Sequence, residues 1–427
     1  MQSPPRTENV RSELLPNGIT VVSEQMPHVR SVAVGIWVNA GSRHETAKQN
    51  GIAHFIEHML FKGTANRSAE DIARETDSLG GNMDAFTSKE LVCYSAKMLD
   101  QHLGQGFDIL ADLVLNPLFR PEDVEKEKGV ILEELKMEVD NPEYLVHDLF
   151  TNSFWGGHAI GRPILGTKAT IKSFNPVNLR AYYEQMYEPG RMVIAAAGNV
   201  THEQFVELVR KYFGHLRRRE SAEPEVAPVA QAPLILKNKR SLEQVQVCLG
   251  VPCNPLTHPM RYPSYVLATV LGGSMSSRLF QNIREKRGLA YSVFSEQYMY
   301  RDSGVLSVFA GTSLVHVPEM LKVTLNEFRS LKETPVPEDE LRRSKDNLKG
   351  SLMLALESTS SRMSHIARQQ IFYGRFATMD EIIDNIEAVR AEQLQQLAND
   401  FFQPERIGLT ILGRLGGFQV ERGDLVC

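Results

Sequence analysis

At 427 residues the chain is too long for one ordinary hydrophobic core, so two or more domains are expected. With 42% hydrophobic and 23% charged residues it can bury a core and remain in solution, which excludes a largely disordered chain. A net charge of −5 gives no electrostatic reason to bind nucleic acid or an anionic membrane.

The amino-terminal stretch MQSPPRTENV has neither an apolar signal core nor an arginine-rich amphipathic helix. No apolar run in the sequence approaches the roughly 20 residues of a membrane span. Cys93, Cys248, Cys253 and Cys427 are scattered, without a Cys-x-x-Cys pair, and read as free thiols. A cytoplasmic protein of bacterial type is the expectation.

The first clear element is a strand, in which Val32, Val34, Ile36 and Val38 alternate with Ala33, Gly35 and Trp37, as for a strand with one face on a core. Residues 51–64, GIAHFIEHMLFKGT, follow. On a helix, His54 and His58 stand one turn apart on the same face, with Glu57 beside them. Two imidazoles so placed can meet one zinc ion, and the neighbouring carboxylate then stands near the open coordination position. This is the inverted form of the His-Glu-x-x-His motif. The plain alternative is a helix with two partly buried histidines and a solvated glutamate.

Two histidines leave a catalytic zinc one protein ligand short. The stretch PEDVEKEKGVILEELKMEVDN offers carboxylates on a helix expected from about 121 to 139, opened by Pro121 and by acidic residues suited to the positive helix end. Glu127 and Glu134 lie two turns apart on one face, and Glu133 points about 100° away. Periodicity alone leaves Glu134, Glu138 and Glu133 in competition, with an ordinary charged helix surface as the alternative for all three.

Residues 217–233, RRRESAEPEVAPVAQAP, replace apolar periodicity with charge, Ala and Pro, and read as a linker between domains 1–216 and 234–427. The two halves read as copies. Pro189, Arg191 and Gly198 recur as Pro404, Arg406 and Gly413 (404 − 189 = 215), and Pro121-Glu122-Asp123 recurs as Pro337-Glu338-Asp339 (337 − 121 = 216). Val245 and Val247 open a strand in the second half, and 338–358 reads as an amphipathic helix. The expected fold is α+β, with two homologous α/β-sandwich domains, each a mostly antiparallel sheet with helices packed on one side. A shift of 216 places Val270, Gly273, Ser274 and Gly350 where His54, Glu57, His58 and Glu134 stand, so the second copy is degenerate and cannot hold the metal.

HFIEHMLFKGT, followed by LGGNMDAFTSKE and VILEELKMEVD, resembles the pitrilysin family, in particular mitochondrial processing peptidase and its bacterial homologues. The similarity covers essentially the whole chain. It implies a zinc metalloendopeptidase acting on unfolded or presequence-like peptides. In the family the third ligand is a Glu about 76 residues after the second His, and 134 − 58 = 76, so the resemblance selects Glu134 and makes Glu127 a further carboxylate that supports catalysis. Glu57 becomes the general base. Arg284 and Tyr291 resemble an Arg and Tyr that hold substrate and steady its carbonyl. The strand containing Asp84, Ala85 and Phe86 resembles the edge onto which substrate adds, although many relatives carry Asn where this chain has Asp84. A two-domain chain further resembles half of a closed shell, which implies a homodimer, or a heterodimer with a related subunit. The rival reading is a non-catalytic or heterodimer subunit of a processing-peptidase-like assembly.

Overall fold

The computed structural model describes residues 10–218 and 226–427. Residues 219–225 of the expected linker and most of the stretch MQSPPRTENV lie outside them. The described residues form two compact units, one within residues 1–136, 162–225 and 354–378, the other within residues 137–161, 226–353 and 379–427.

The strands, in chain order, are β1 (Val10–Leu14), β2 (Thr20–Gln25), β3 (Ser31–Val38), β4 (Asn82–Thr87), β5 (Val92–Leu99), β6 (Met192–Gly198), β7 (Leu234–Asn238), β8 (Val245–Pro252), β9 (Ala290–Met299), β10 (Gly304–Thr312) and β11 (Gly408–Gly413). The first unit holds the sheet β1-β2-β6-β3-β5-β4, and the second holds β7-β11-β8-β10-β9. Each is antiparallel except for one pair, β2 with β6 and β7 with β11. This is the mostly antiparallel α+β architecture expected from strands mixed with helix pairs in each half. The matching strand orders also reflect the duplication, with β4 and β9 as corresponding edges.

In the first unit the main helical layer covers one face of the sheet. Val34, Ile36, Tyr94 and Ile194 share a core with Phe55 of helix Ile52–Leu60, Phe107 of helix Leu103–Leu115 and Phe205 of helix His202–Phe213. The opposite face is covered as well. Ala33, Trp37, Cys93 and Ala195 are buried against Met363, Ile366 and Ala367 of helix Thr359–Tyr373. Both faces of β3 are therefore covered, where its alternation suggested one. The residues between its valines are small or aromatic rather than charged, and Gly35 makes room for Met363, whose Sδ would lie 2.7 Å from an added Cβ. Trp37 donates its Nε1 hydrogen to that sulfur at 3.3 Å. Beside it, Arg362 forms a buried ion pair with Glu24 of β2, Nε to Oε2 at 2.8 Å.

The second unit repeats this arrangement. Val146, Phe150 and Phe154 of helix Pro142–Phe154 pack on Cys248, Val305, Phe309 and Leu412. Gly250 and Gly408 leave space for the Phe150 ring, which would stand 2.5 and 3.0 Å from a Cβ added at either position. The helices Pro142–Phe154 and Thr359–Tyr373 begin at equivalent positions of the duplicated halves (359 − 142 = 217). Each belongs to the unit of the other half, so the compact units depart from the continuous boundaries 1–216 and 234–427. The long helices Pro121–Asp140 and Glu338–Ala355 precede them and lead the chain out of one unit and into the other. Sequence composition marks a linker but carries no signal for such an exchange.

The four cysteines are free, as expected, and among the described residues no helix is long and apolar enough to cross a membrane. Arg362→Met leaves the Glu24 carboxylate buried without its partner, and is expected to destabilise by about 3–5 kcal/mol, read as a lower denaturation midpoint. Replacing both partners by apolar residues, Glu24→Leu with Arg362→Met, is expected to recover most of that loss.

Candidate metal centre

The helix carrying the His-x-x-Glu-His motif spans Ile52–Leu60. It begins at Gly51, which adopts φ +93°, and a Cβ there would stand 2.5 Å from the Leu165 carbonyl oxygen, so only glycine fits. Backbone donors at the start of this helix, which lack intrahelical partners, are satisfied by an upstream side chain. The buried Glu45 carboxylate accepts from Gly51 N at 2.8 Å, Ala53 N at 3.0 Å and Asn50 Nδ2 at 3.2 Å. Burial pushes this carboxyl up to about 7, while those donors pull against it.

From this helix His54 is buried and His58 half-buried, with ring centroids 4.6 Å apart. Helix Pro121–Asp140 brings Glu134 to them. Its Oε2 lies 3.7 Å from His54 Nε2 and 3.6 Å from His58 Nε2, and the three ligand atoms all fall within 4.8 Å of one another. Glu134 Oε2 is buried and has no hydrogen-bond partner among the described residues. A buried carboxylate oxygen left unpaired is costly. These spacings are too long for hydrogen bonds but close to the roughly 3.3 Å separating two ligand atoms of a tetrahedral zinc site. The donor set therefore fits zinc. Of the other carboxylates on this helix that were in competition, Glu133 turns to solvent and pairs with Lys136 at 2.6 Å.

Glu127 lies behind the ligands. Buried in the same helix, it accepts from His58 Nδ1 at 2.8 Å, while Lys62 Nζ holds its other oxygen at 2.8 Å. A histidine so held presents Nε2 to a metal in a fixed orientation. Burial raises the Glu127 carboxyl, but the His58 and Lys62 contacts outweigh it and leave the group below its ordinary range. His58 shows the reciprocal balance: burial lowers it, and Glu127 more than compensates. Burial, then the neighbouring His58, bring His54 down to about 4, so its imidazole is neutral at pH 7 and available as a ligand.

Glu57 is pushed up by burial, opposed by a hydrogen bond from Thr87 Oγ1 to its Oε2 at 2.5 Å. Thr87 closes β4, the edge strand of the sheet. Along β4, Met83 and Ala85 pack toward the core on the side of Thr87, while Asp84 is exposed and Phe86 meets Trp37 edge-on. The Asp84 carboxyl accepts from the backbone N–H of Ala85 at 2.9 Å. Arg284 and Tyr291 belong to the second unit, where the guanidinium carbon lies 4.8 Å from the Tyr291 ring centre and 4.7 Å from that of Phe280. Tyr291 is 79% exposed, so its hydroxyl is open to a ligand. Sequence reasoning missed Glu45, Lys62 and Thr87. The helix beginning at Gly51 needed a cap, a signal that pointed toward nearby polar residues, but only the fold specifies which ones.

Comparison with known proteins identifies relatives over nearly the whole chain. Residues 20–168 match the family described as Insulinase (Peptidase family M16), and residues 173–348 match the Peptidase M16 inactive domain. An uncharacterized zinc protease of Bacillus subtilis is 44% identical over 90% of this chain and 94% of its own length. Another, from Mycobacterium leprae, is 40% identical over 96% of this chain and 92% of its own. The crystal structure of a protease from Helicobacter pylori shares the fold with TM-score 0.87 at 22% identity, over 95% of this chain and 99% of that one.

Glu127→Gln removes the charge that orients His58 and leaves the three ligands in place. It is expected to weaken zinc binding by about 10- to 100-fold in a competition titration against a chelator, whereas Glu134→Ala should abolish stoichiometric binding.

Proposed function

Given that this chain belongs to peptidase family M16 and is a zinc metallopeptidase, we propose that it is an endopeptidase that cuts extended, unfolded peptides, presequence-like segments among them, with Glu57 as general base. The observation that carries the reading is the buried Glu134 oxygen, without a hydrogen bond, shared between two imidazoles, with the half-buried Glu57 carboxylate adjacent to one of them in the chain.

His54, His58 and Glu134 would hold zinc, which when bound polarises the scissile carbonyl and acidifies water. Glu57 receives the proton of the attacking water and returns it to the leaving amine. Its position next to His58 in the sequence keeps this carboxylate beside the ligands. No covalent intermediate with the protein is required. Glu127 and Lys62 keep the His58 ring oriented throughout. The outer edge of β4 offers main-chain groups to an extended peptide, with Asp84, Ala85 and Phe86 along it. Arg284 and Tyr291 are proposed to hold substrate and donate to its carbonyl oxygen. The match of residues 173–348 to a domain called inactive supports a second half that serves the first without a metal of its own. The working assembly is proposed to be a homodimer, or a heterodimer with a related subunit.

Purified protein is expected to cleave a peptide library and to stop when a chelator removes zinc. Glu57→Gln should keep zinc and lose about 10²- to 10⁴-fold in kcat, the contribution of a positioned base. Normal turnover in that variant would remove Glu57 from the mechanism. Tyr291→Phe and Arg284→Ala are each expected to lower kcat/KM by about 100-fold without loss of zinc, in keeping with the removal of one oxyanion donor.

A further inference from the structure

The strand edge and the base of the proposed reaction are joined by one hydrogen bond. Thr87 is the last residue of β4, paired with Val92 of β5, and its hydroxyl donates to Glu57 Oε2 at 2.5 Å. Glutamate turns about three side-chain bonds, so a carboxylate on a helix does not by itself present a fixed oxygen in a fixed direction. The opposite end of β4 cannot supply this contact, because alternation puts Met83, Ala85 and Thr87 on the helix side of the strand and only Thr87 carries a donor there. We propose that Thr87 is a positioning residue for the base. Its hydroxyl fixes Glu57 Oε2, leaves Oε1 for the water, and holds the base in register with a peptide lying along β4.

This rests on the endopeptidase reading of the preceding subsection, and it adds a specific physical coupling. A peptide bound along β4 is aligned by the same strand whose end holds Glu57. The base and the bond to be cut then share one reference frame, and a small misplacement of either is expected to appear in turnover more than in binding. Thr87 does not touch the reacting atoms. Its effect passes entirely through Glu57.

The test compares Thr87→Val and Thr87→Ser on a quenched peptide substrate, with Glu57→Gln as reference. Valine has nearly the shape of threonine and suits a strand but lacks the hydroxyl, whereas serine restores it. Thr87→Val is expected to lower kcat by about 10- to 100-fold, the span of a hydrogen bond to a charged acceptor, with KM and bound zinc unchanged. Thr87→Ser is expected to stay within about threefold of the parent protein. Where valine lowers the melting temperature, Thr87→Ala against Thr87→Ser makes the same comparison. Turnover of Thr87→Val within about twofold of the parent, equal losses in the Val and Ser variants, or a loss carried by KM or zinc content would each overturn the positioning role. Full activity in Glu57→Gln would instead remove Glu57 as the base, and Thr87's role with it, whereas absence of peptide cleavage by the zinc-loaded parent protein would overturn the function reading itself. An inactive Glu57→Gln beside an unimpaired Thr87→Val overturns the positioning role alone.

Discussion

A carboxylate oxygen buried between two imidazoles, too far from either to hydrogen-bond, is an unfavourable arrangement unless a cation completes it. The local fold of the first unit sustains this arrangement. Gly51 and Glu45 start one helix at the required place, and the helix opened by Pro121 brings Glu134 from 76 residues beyond His58 (134 − 58 = 76). A bound metal would satisfy Glu134 Oε2, which has no hydrogen bond, and would thereby couple metal binding to folding of this region.

The groups around His54, His58 and Glu134 differ in their electrostatic surroundings. Glu127 is kept ionised by Lys62 and His58, so it can orient the ring from behind. Glu57 is raised by burial, against the pull of the Thr87 hydroxyl. Two glutamates of one small region are thus shifted in opposite directions by their surroundings. One is locked by a cation, the other held by a single hydroxyl.

Duplication explains much of the remainder. The sheets share strand order, including the parallel pair, and each is covered on its second face by the helix that follows the long helix of the other half. The second half keeps the scaffold without ligands, since Val270, Gly273, Ser274 and Gly350 stand at the shifted positions.

What the sequence by itself determined was local and periodic. His54, Glu57 and His58 follow from helical spacing, the strand at 32–38 from alternation, the helix opened by Pro121 from its acidic first turn, and the duplication from a constant offset. Glu134 could not be chosen over Glu133 and Glu138 by periodicity, because a helix face says nothing about what it meets. Family resemblance selected it, and the fold is what brings it within reach of both imidazoles. Tertiary structure alone decided the burial of both faces of β3, the exchanged helices, and the partners Glu45, Lys62 and Thr87. Each of these depends on which distant segment comes to lie against a given surface, and no pattern within either segment encodes that meeting.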